Sequence, residues 1–124
     1  MTPSRPAALI VEDQPFIGMV ASDILRESGF QTFHACDAQN ARQMLDEHPE
    51  IEVVVAEAQL AGGDGLDFAR RVSRERPGVQ LVVTAAGEEL SATDLPQGAR
   101  VLRKPYASGE LRTLVAARSL LQDA

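Results

Sequence analysis

Long apolar runs are missing from this chain, cysteine is nearly so, and basic residues fall short of acidic ones. No apolar stretch approaches the roughly 20 residues that a helical membrane span requires, so no membrane partner is expected. Cys36 is the only cysteine, which excludes an intramolecular disulfide and points to a reducing compartment. Its thiol reads as a buried, structural one. Twelve Lys and Arg stand against 18 Asp and Glu, a net charge of −6. Nucleic-acid binding needs clustered cations; here Arg70, Arg71, Arg74 and Arg76 lie among acids on one expected helix, the pattern of a solvated face. No nucleic acid is therefore expected to bind this domain. No signal peptide is expected either, since the apolar run 7–11 is short and passes directly into Glu12 and Asp13. A cytoplasmic location is expected.

What remains is an ordinary soluble composition, 44% hydrophobic and 24% charged over 124 residues, long enough for one domain with its own core. Residues 1–6 read as a polar extension and 7–124 as the domain. Short apolar runs at 8–11, 31–35, 53–56, 80–84 and 101–103 have the length and β-branched content of strands. Amphipathic segments separate them. Phe16, Ile17, Val20, Ile24 and Leu25 mark one stripe on a first helix, with Pro15 in its first turn and Gly29 at its end. Ala38, Ala41, Met44 and Leu45 mark a second, with Asp37 as N-cap and Pro49 beyond it. Leu66, Ala69 and Val72 mark a third, ended near Pro77 and Gly78. Leu111, Leu114, Val115 and Leu121 mark the last, with Ser108 as candidate cap. Pro96 and Gly98 allow only a short or irregular helix at 88–95. This alternation predicts an α/β fold, a parallel sheet with helices on both faces and right-handed crossovers.

In such sheets ligands bind outside the carboxyl ends of the strands. Chemistry-bearing side chains fall there: Glu12 and Asp13 after the first run, Glu57 after the third, Thr84 ending the fourth and Lys104 after the fifth. Taken singly, each has a plain structural reading. An acidic pair after a strand caps the next helix, a strand-terminal threonine is common, Lys104-Pro105 is a turn, and Gly62-Gly63-Asp64-Gly65 is a loop. Together they are carboxylates, a hydroxyl and an ammonium converging at four strand ends. That set suits metal-assisted phosphoryl chemistry, in which cations offset gathering negative charge.

Leu9-Ile10-Val11-Glu12-Asp13, the strand and loop ending Gly63-Asp64-Gly65, Thr84-Ala85, and Gly98-Ala99 leading to Lys104-Pro105-Tyr106 resemble the receiver domain of bacterial two-component response regulators. The likeness runs from about residue 7 to 121. It implies a flavodoxin-like, doubly wound five-stranded sheet, (βα)5, with strand order 2-1-3-4-5. It implies Mg²⁺ held by Glu12, Asp13, the acid at 57 and the backbone carbonyl of Gln59, a cation suited to carboxylate and carbonyl oxygens. Thr84 would bond a phosphoryl oxygen, Ala85 would leave room for it, and Lys104 would pair with the phosphoryl group or, at rest, with residue 57. The implied partner is a histidine kinase or another signalling protein, and a homodimer is allowed.

The chain departs from that family at two places. The family's phosphoacceptor is aspartate, and position 57 is glutamate; Asp64 and Asp67 come too late to replace it. The longer arm moves the nucleophile by about a bond length, and a misplacement of about 1 Å costs on the order of 10²-fold in rate. Glu57 would then either imitate part of a phosphoryl group or lock the site in an ion pair with Lys104. The family also often has an aromatic residue where this chain has Val101, which cannot make an aromatic's rotamer swing. Val101 and Tyr106 are expected on the switch and partner face. The resulting expectation is a stand-alone, non-enzymatic signalling module acting by contact, with phosphorylation weak or absent. The alternative is a phosphorylatable single-domain regulator or phosphate sink. An aspartyl phosphohydrolase would need Asp-x-Asp after the first strand, which Glu12-Asp13-Gln14 lacks. A flavin or dinucleotide site is disfavoured because no glycine-rich loop follows that strand.

Overall fold

The computed structural model describes residues 5–60, 63–87, 90 and 94–123. Five strands, β1 (Ala7–Val11), β2 (Gln31–Ala35), β3 (Ile51–Glu57), β4 (Gln80–Ala85) and β5 (Arg100–Arg103), form one sheet. All neighbours are parallel and the order is β2-β1-β3-β4-β5. A small antiparallel ribbon pairs Gln59–Leu60 with Gly63–Asp64. Four helices are present among the described residues: α1 (Pro15–Glu27), α2 (Ala38–Glu47), α3 (Gly65–Glu75) and α4 (Ser108–Asp123). The short helix expected at 88–95 falls largely outside the described residues. This is the doubly wound, flavodoxin-like architecture expected from the sequence.

The central strands are covered on both faces, so they read as continuous apolar runs rather than alternating ones. Leu9 and Val11 of β1 and Val54 and Ala56 of β3 pack with Ala41 and Leu45 of α2 and Phe68, Ala69 and Val72 of α3. Ala8, Ile10, Val53 and Val55 pack on the other face with Ala21, Ile24 and Leu25 of α1 and Leu111 and Val115 of α4. Edge strand β2 is only partly buried until Ala35, which explains its mixed sequence. Arg5 donates to the Phe30 carbonyl (3.1 Å), so the chain is already tied to the sheet there.

Helix ends follow the expected chemistry in part. Pro15 opens α1 and Gly29, with φ of 99°, follows its end. The Asp37 side chain accepts the Asn40 amide at 2.8 Å and caps α2. Ser108 is not a cap but the first residue of α4; the Ala107 amide donates to Glu110 Oε1 (3.0 Å) instead, the carboxylate half of a capping box.

Three further expectations are corrected. The stripe of α1 that meets the sheet is Gly18, Ala21, Ser22 and Leu25, spaced i, i+3, i+4, i+7, together with Ile24. Phe16 and Val20 lie off it and are exposed, 75% and 42%. Ile24 and Leu25 of the expected stripe are buried, but the rest of the buried face is Gly18, Ala21 and Ser22, small residues that let the helix lie close to the sheet. Cys36 is exposed rather than buried, because it follows the last residue of an edge strand. Arg76 is not merely solvated. It donates to the carbonyls of Leu45 (3.0 Å), Pro49 (3.2 Å) and Ile51 (2.9 Å), binding the end of α3 to the α2–β3 turn.

Candidate functional site

Register brings the strand ends together. Val11 of β1 pairs with Ala56 of β3, and Glu57 pairs with Thr84 of β4. The Ala58 amide donates to the Thr84 carbonyl (2.8 Å) and the Lys104 amide to the Ala85 carbonyl (2.8 Å). The acids after β1, the acid ending β3, the hydroxyl of β4 and the lysine after β5 therefore share one rim. Glu12, Glu57 and Thr84 are buried at 3%, 6% and 3% exposure, an unusual concentration of polar groups. Ala85 is fully buried.

Lys104 is the centre of the charge network. Its Nζ donates to Glu57 Oε1 at 3.0 Å and also contacts Glu12 Oε1. Glu12 Oε2 accepts the Gln14 amide at 3.1 Å, while Glu57 Oε2 is buried with no hydrogen-bond partner among the described residues. One ammonium thus faces two buried carboxylates. Burial, then the hydrogen bond and charge of Glu12, push the Glu57 carboxyl up from 4.5 to about 7, against the opposing pull of Lys104. For Lys104 burial disfavours the ammonium, but Glu12 and Glu57 outweigh it and raise the group above its ordinary 10.5.

This sets a pH dependence. In the 4.5–7 window the folded chain holds a Glu57 proton that the unfolded chain has released, so stability falls as pH rises. That contribution is complete below the unfolded value and lost on passing through about 7. In metal-free buffer the urea midpoint is expected to drop between about pH 5 and pH 8, and Glu57→Gln is expected to flatten that drop. Equal slopes in the two proteins would contradict the assignment to Glu57.

Oxygens of Glu12, Asp13 and Glu57 lie within 4.8 Å of one another. Three carboxyl groups gather beside Lys104, and among the described residues Glu57 Oε2 has no hydrogen-bond partner. The donor set therefore fits a hard divalent cation that takes carboxylate oxygens. Gln59 is exposed and paired with Asp64 in the ribbon beside the cluster.

The remaining expected residues surround this rim. Val101 is half-buried and pairs with Val83. Tyr106 is half-buried, packs on the α1–α4 side of the core, and shares a cavity of about 470 Å³ with Phe16, Ile17, Val20 and Lys104.

Two supports were not read from the sequence. Nε2 of His34 donates to the Glu12 backbone carbonyl at 2.9 Å, and the Glu12 amide donates to the Ala35 carbonyl at 3.0 Å, so β2 holds both backbone groups of that acid. The His34 ring sits in a notch left by Gly18, where a Cβ would come within 2.3 Å of ring Cε1. A glycine inside a helical pattern was the available signal. Gly18→Ala is expected to cost about 2 kcal/mol in urea unfolding through overpacking, and His34→Ala in the same chain should recover part of it. The second support is Gly65, against the Glu57 carbonyl.

Residues 8–116 match the family described as the response regulator receiver domain. The chain belongs to that family, whose members receive signals in two-component transduction. It is 31% identical to the Response regulator protein PilR of Pseudomonas aeruginosa over 123 residues, covering 97% of this chain but 27% of that protein. It thus spans about a quarter of the length of that relative. Sporulation initiation phosphotransferase F of Bacillus subtilis is 26% identical over 114 residues, covering 86% of this chain and 88% of that one. The crystal structure of a signal receiver domain from an HD domain-containing protein of Pseudomonas fluorescens superposes with TM-score 0.81 at 27% identity, covering 97% of each chain. Among the described residues no helix is long and apolar enough to cross a membrane.

Proposed function

We propose that this receiver domain signals by protein contact from a site held in one state, and that Glu57 stands in the phosphoacceptor position as a poor acceptor. The observation that carries the reading is the ion pair of Glu57 with Lys104, shared with Glu12. The longer glutamate arm already reaches the ammonium that a phosphoryl group would need. Efficient transfer would have to break this buried pair and place a displaced nucleophile in line. The module turns over no substrate of its own.

Glu12, Asp13, Glu57 and the Gln59 carbonyl would hold Mg²⁺, and Thr84 would face the same rim. When bound, the cation supplies the positive charge that offsets a phosphoryl group during transfer. Partner contact is supported by Phe16, Met19 and Val20, exposed at 75%, 59% and 42%, which form an apolar patch next to the Lys104–Tyr106 segment. A histidine kinase or another phosphorelay protein in the cytoplasm is the partner class this reading names.

Amide NMR tests it with Mg²⁺ and then beryllofluoride, a phosphoryl analogue, on this chain and on Glu57→Asp. Mg²⁺ is expected to move the Glu12, Asp13 and Ala58 signals in both. Beryllofluoride is expected to move Thr84 and Lys104 only in Glu57→Asp. Equal response of the two proteins would make Glu57 a competent acceptor and overturn the reading.

A further inference from the structure

The groove between α2 and α3 lies on the sheet face opposite α1, away from the apolar patch. It encloses about 650 Å³, and its charged lining is Arg42 of α2 and Arg70, Arg71 and Arg74 of α3, with one acid, Asp67. A second hollow of about 160 Å³ shares Arg42 and Arg71 but is also lined by Asp46 and Glu75, so the cationic stretch ends there. In a chain with net charge −6, four guanidiniums around one concavity are a local reversal of sign.

Their present partners leave them available. Among the described residues, Arg42 and Arg74 make no ion pair, and both are exposed. Arg70 pairs with Asp67 at 3.0 Å and Arg71 with Glu75 at 3.7 Å, each across an exposed helix surface. Pairs of that kind contribute little and exchange readily. Arg70 is also anchored through the Asp94 carbonyl (2.9 Å), which fixes one guanidinium at the groove wall. Arg76, by contrast, is committed to three backbone carbonyls and is not part of the available set.

We propose that the α2–α3 groove docks an acidic segment of a partner protein, its carboxylates paired with Arg42, Arg71 and Arg74. Guanidinium forks match carboxylates in geometry. A helix of 11 residues, the length of α3, is about 16 Å long at 1.5 Å per residue, room for a short segment of several acids. Nucleic acid is a poorer match, because a long polyanion would meet the acidic remainder of the surface. A nucleotide is poorer too: the aromatic residue of the groove, Phe68, is 3% exposed and offers no face for stacking. The proposal does not rest on the reading of Glu57.

Fluorescence anisotropy of a fluorescein-labelled octaglutamate peptide, with the full chain at low and physiological salt, tests it. The peptide is expected to bind, more weakly as salt rises. Arg42→Glu with Arg74→Glu should lower affinity at least tenfold, whereas Arg26→Glu with Arg112→Glu, the same charge change on α1 and α4, should change it less than twofold. Thermal melts check folding, and Arg42→Gln with Arg74→Gln replaces the reversal if that variant is unfolded. Absence of binding at low salt overturns the proposal, as do equal losses in the two double variants. Tripolyphosphate or a short DNA duplex binding at least tenfold tighter than the peptide through the same arginines also overturns it.

Discussion

Replacing Lys104 with methionine is expected to cost about 4 kcal/mol of folding stability at a pH near 8, because removing one member of a buried ion pair leaves the others uncompensated. The Lys104 side chain is 9% exposed, and the side chains of Glu12 and Glu57 that it faces are 4% and 7% exposed. Without the ammonium, two buried carboxylates confront each other, and among the described residues the Gln14 amide is the one remaining donor to them. The chain responds by holding the Glu57 proton to higher pH, since the contact that lowers its pKa has gone. The penalty should therefore shrink in mildly acidic buffer, where Glu57 is neutral in either protein. Combining Lys104→Met with Glu57→Gln should recover part of the loss at high pH. Denaturant unfolding at two pH values measures all of this. A loss below about 1 kcal/mol, independent of pH, would match an exposed pair and contradict the buried network.

Gly65→Ala is expected to be comparably severe, on the order of 4 kcal/mol, the range reserved for specific structural failures. An added Cβ would lie 1.8 Å from the Glu57 carbonyl oxygen and 2.9 Å from that of Ala58. Both obstacles are backbone, and the Ala58 amide is itself bonded to Thr84 across the sheet, so neither yields like a side chain. Relief must come from moving α3 away or shifting the end of β3, which carries Glu57. The substitution should thus also disturb the pH dependence assigned to Glu57. Gly78→Ala is the control: nothing lies within 4 Å of its added Cβ, and its effect should stay within about 0.5 kcal/mol. Unfolding midpoints of the two variants decide the matter, and similar values would contradict the close approach.

The placement of the candidate site was legible because its residues lie at strand ends, which are marked by the switch from apolar to polar residues. Glu12 after Val11 and Glu57 after Ala56 show that switch directly, and Lys104 follows one residue beyond the switch from Leu102 to Arg103. Their placement needed only the rule that a parallel sheet gathers its carboxyl ends on one rim. The supports were less legible because they act across the fold. Gly18 has no side chain to advertise its role, and His34 serves through a ring-to-backbone contact at a distance of 22 residues. Gly65 was seen as a loop residue, although its role depends on where the β3 carbonyl points. Periodicity found α1 and its buried Ile24 and Leu25 but counted Phe16 and Val20 on the same face, because it weights large apolar residues, whereas the first two turns meet the sheet through Gly18, Ala21 and Ser22. The arginines of α3 look alike in sequence, yet Arg76 fastens backbone while Arg74 faces an open groove. Charge patterning identifies a polar face and not which of its members is occupied.

The central claim is that the rim is intact for phosphoryl chemistry except at Glu57. Intact mass after incubation with Mg²⁺ and acetyl phosphate, for this chain beside Glu57→Asp, tests it most directly. The account predicts a phosphoryl adduct on the aspartate variant and at least 10²-fold slower modification of the glutamate chain. Comparable modification of the glutamate chain, mapped to Glu57, would contradict it, and an unreactive aspartate variant would show that the rim has lost more than one residue.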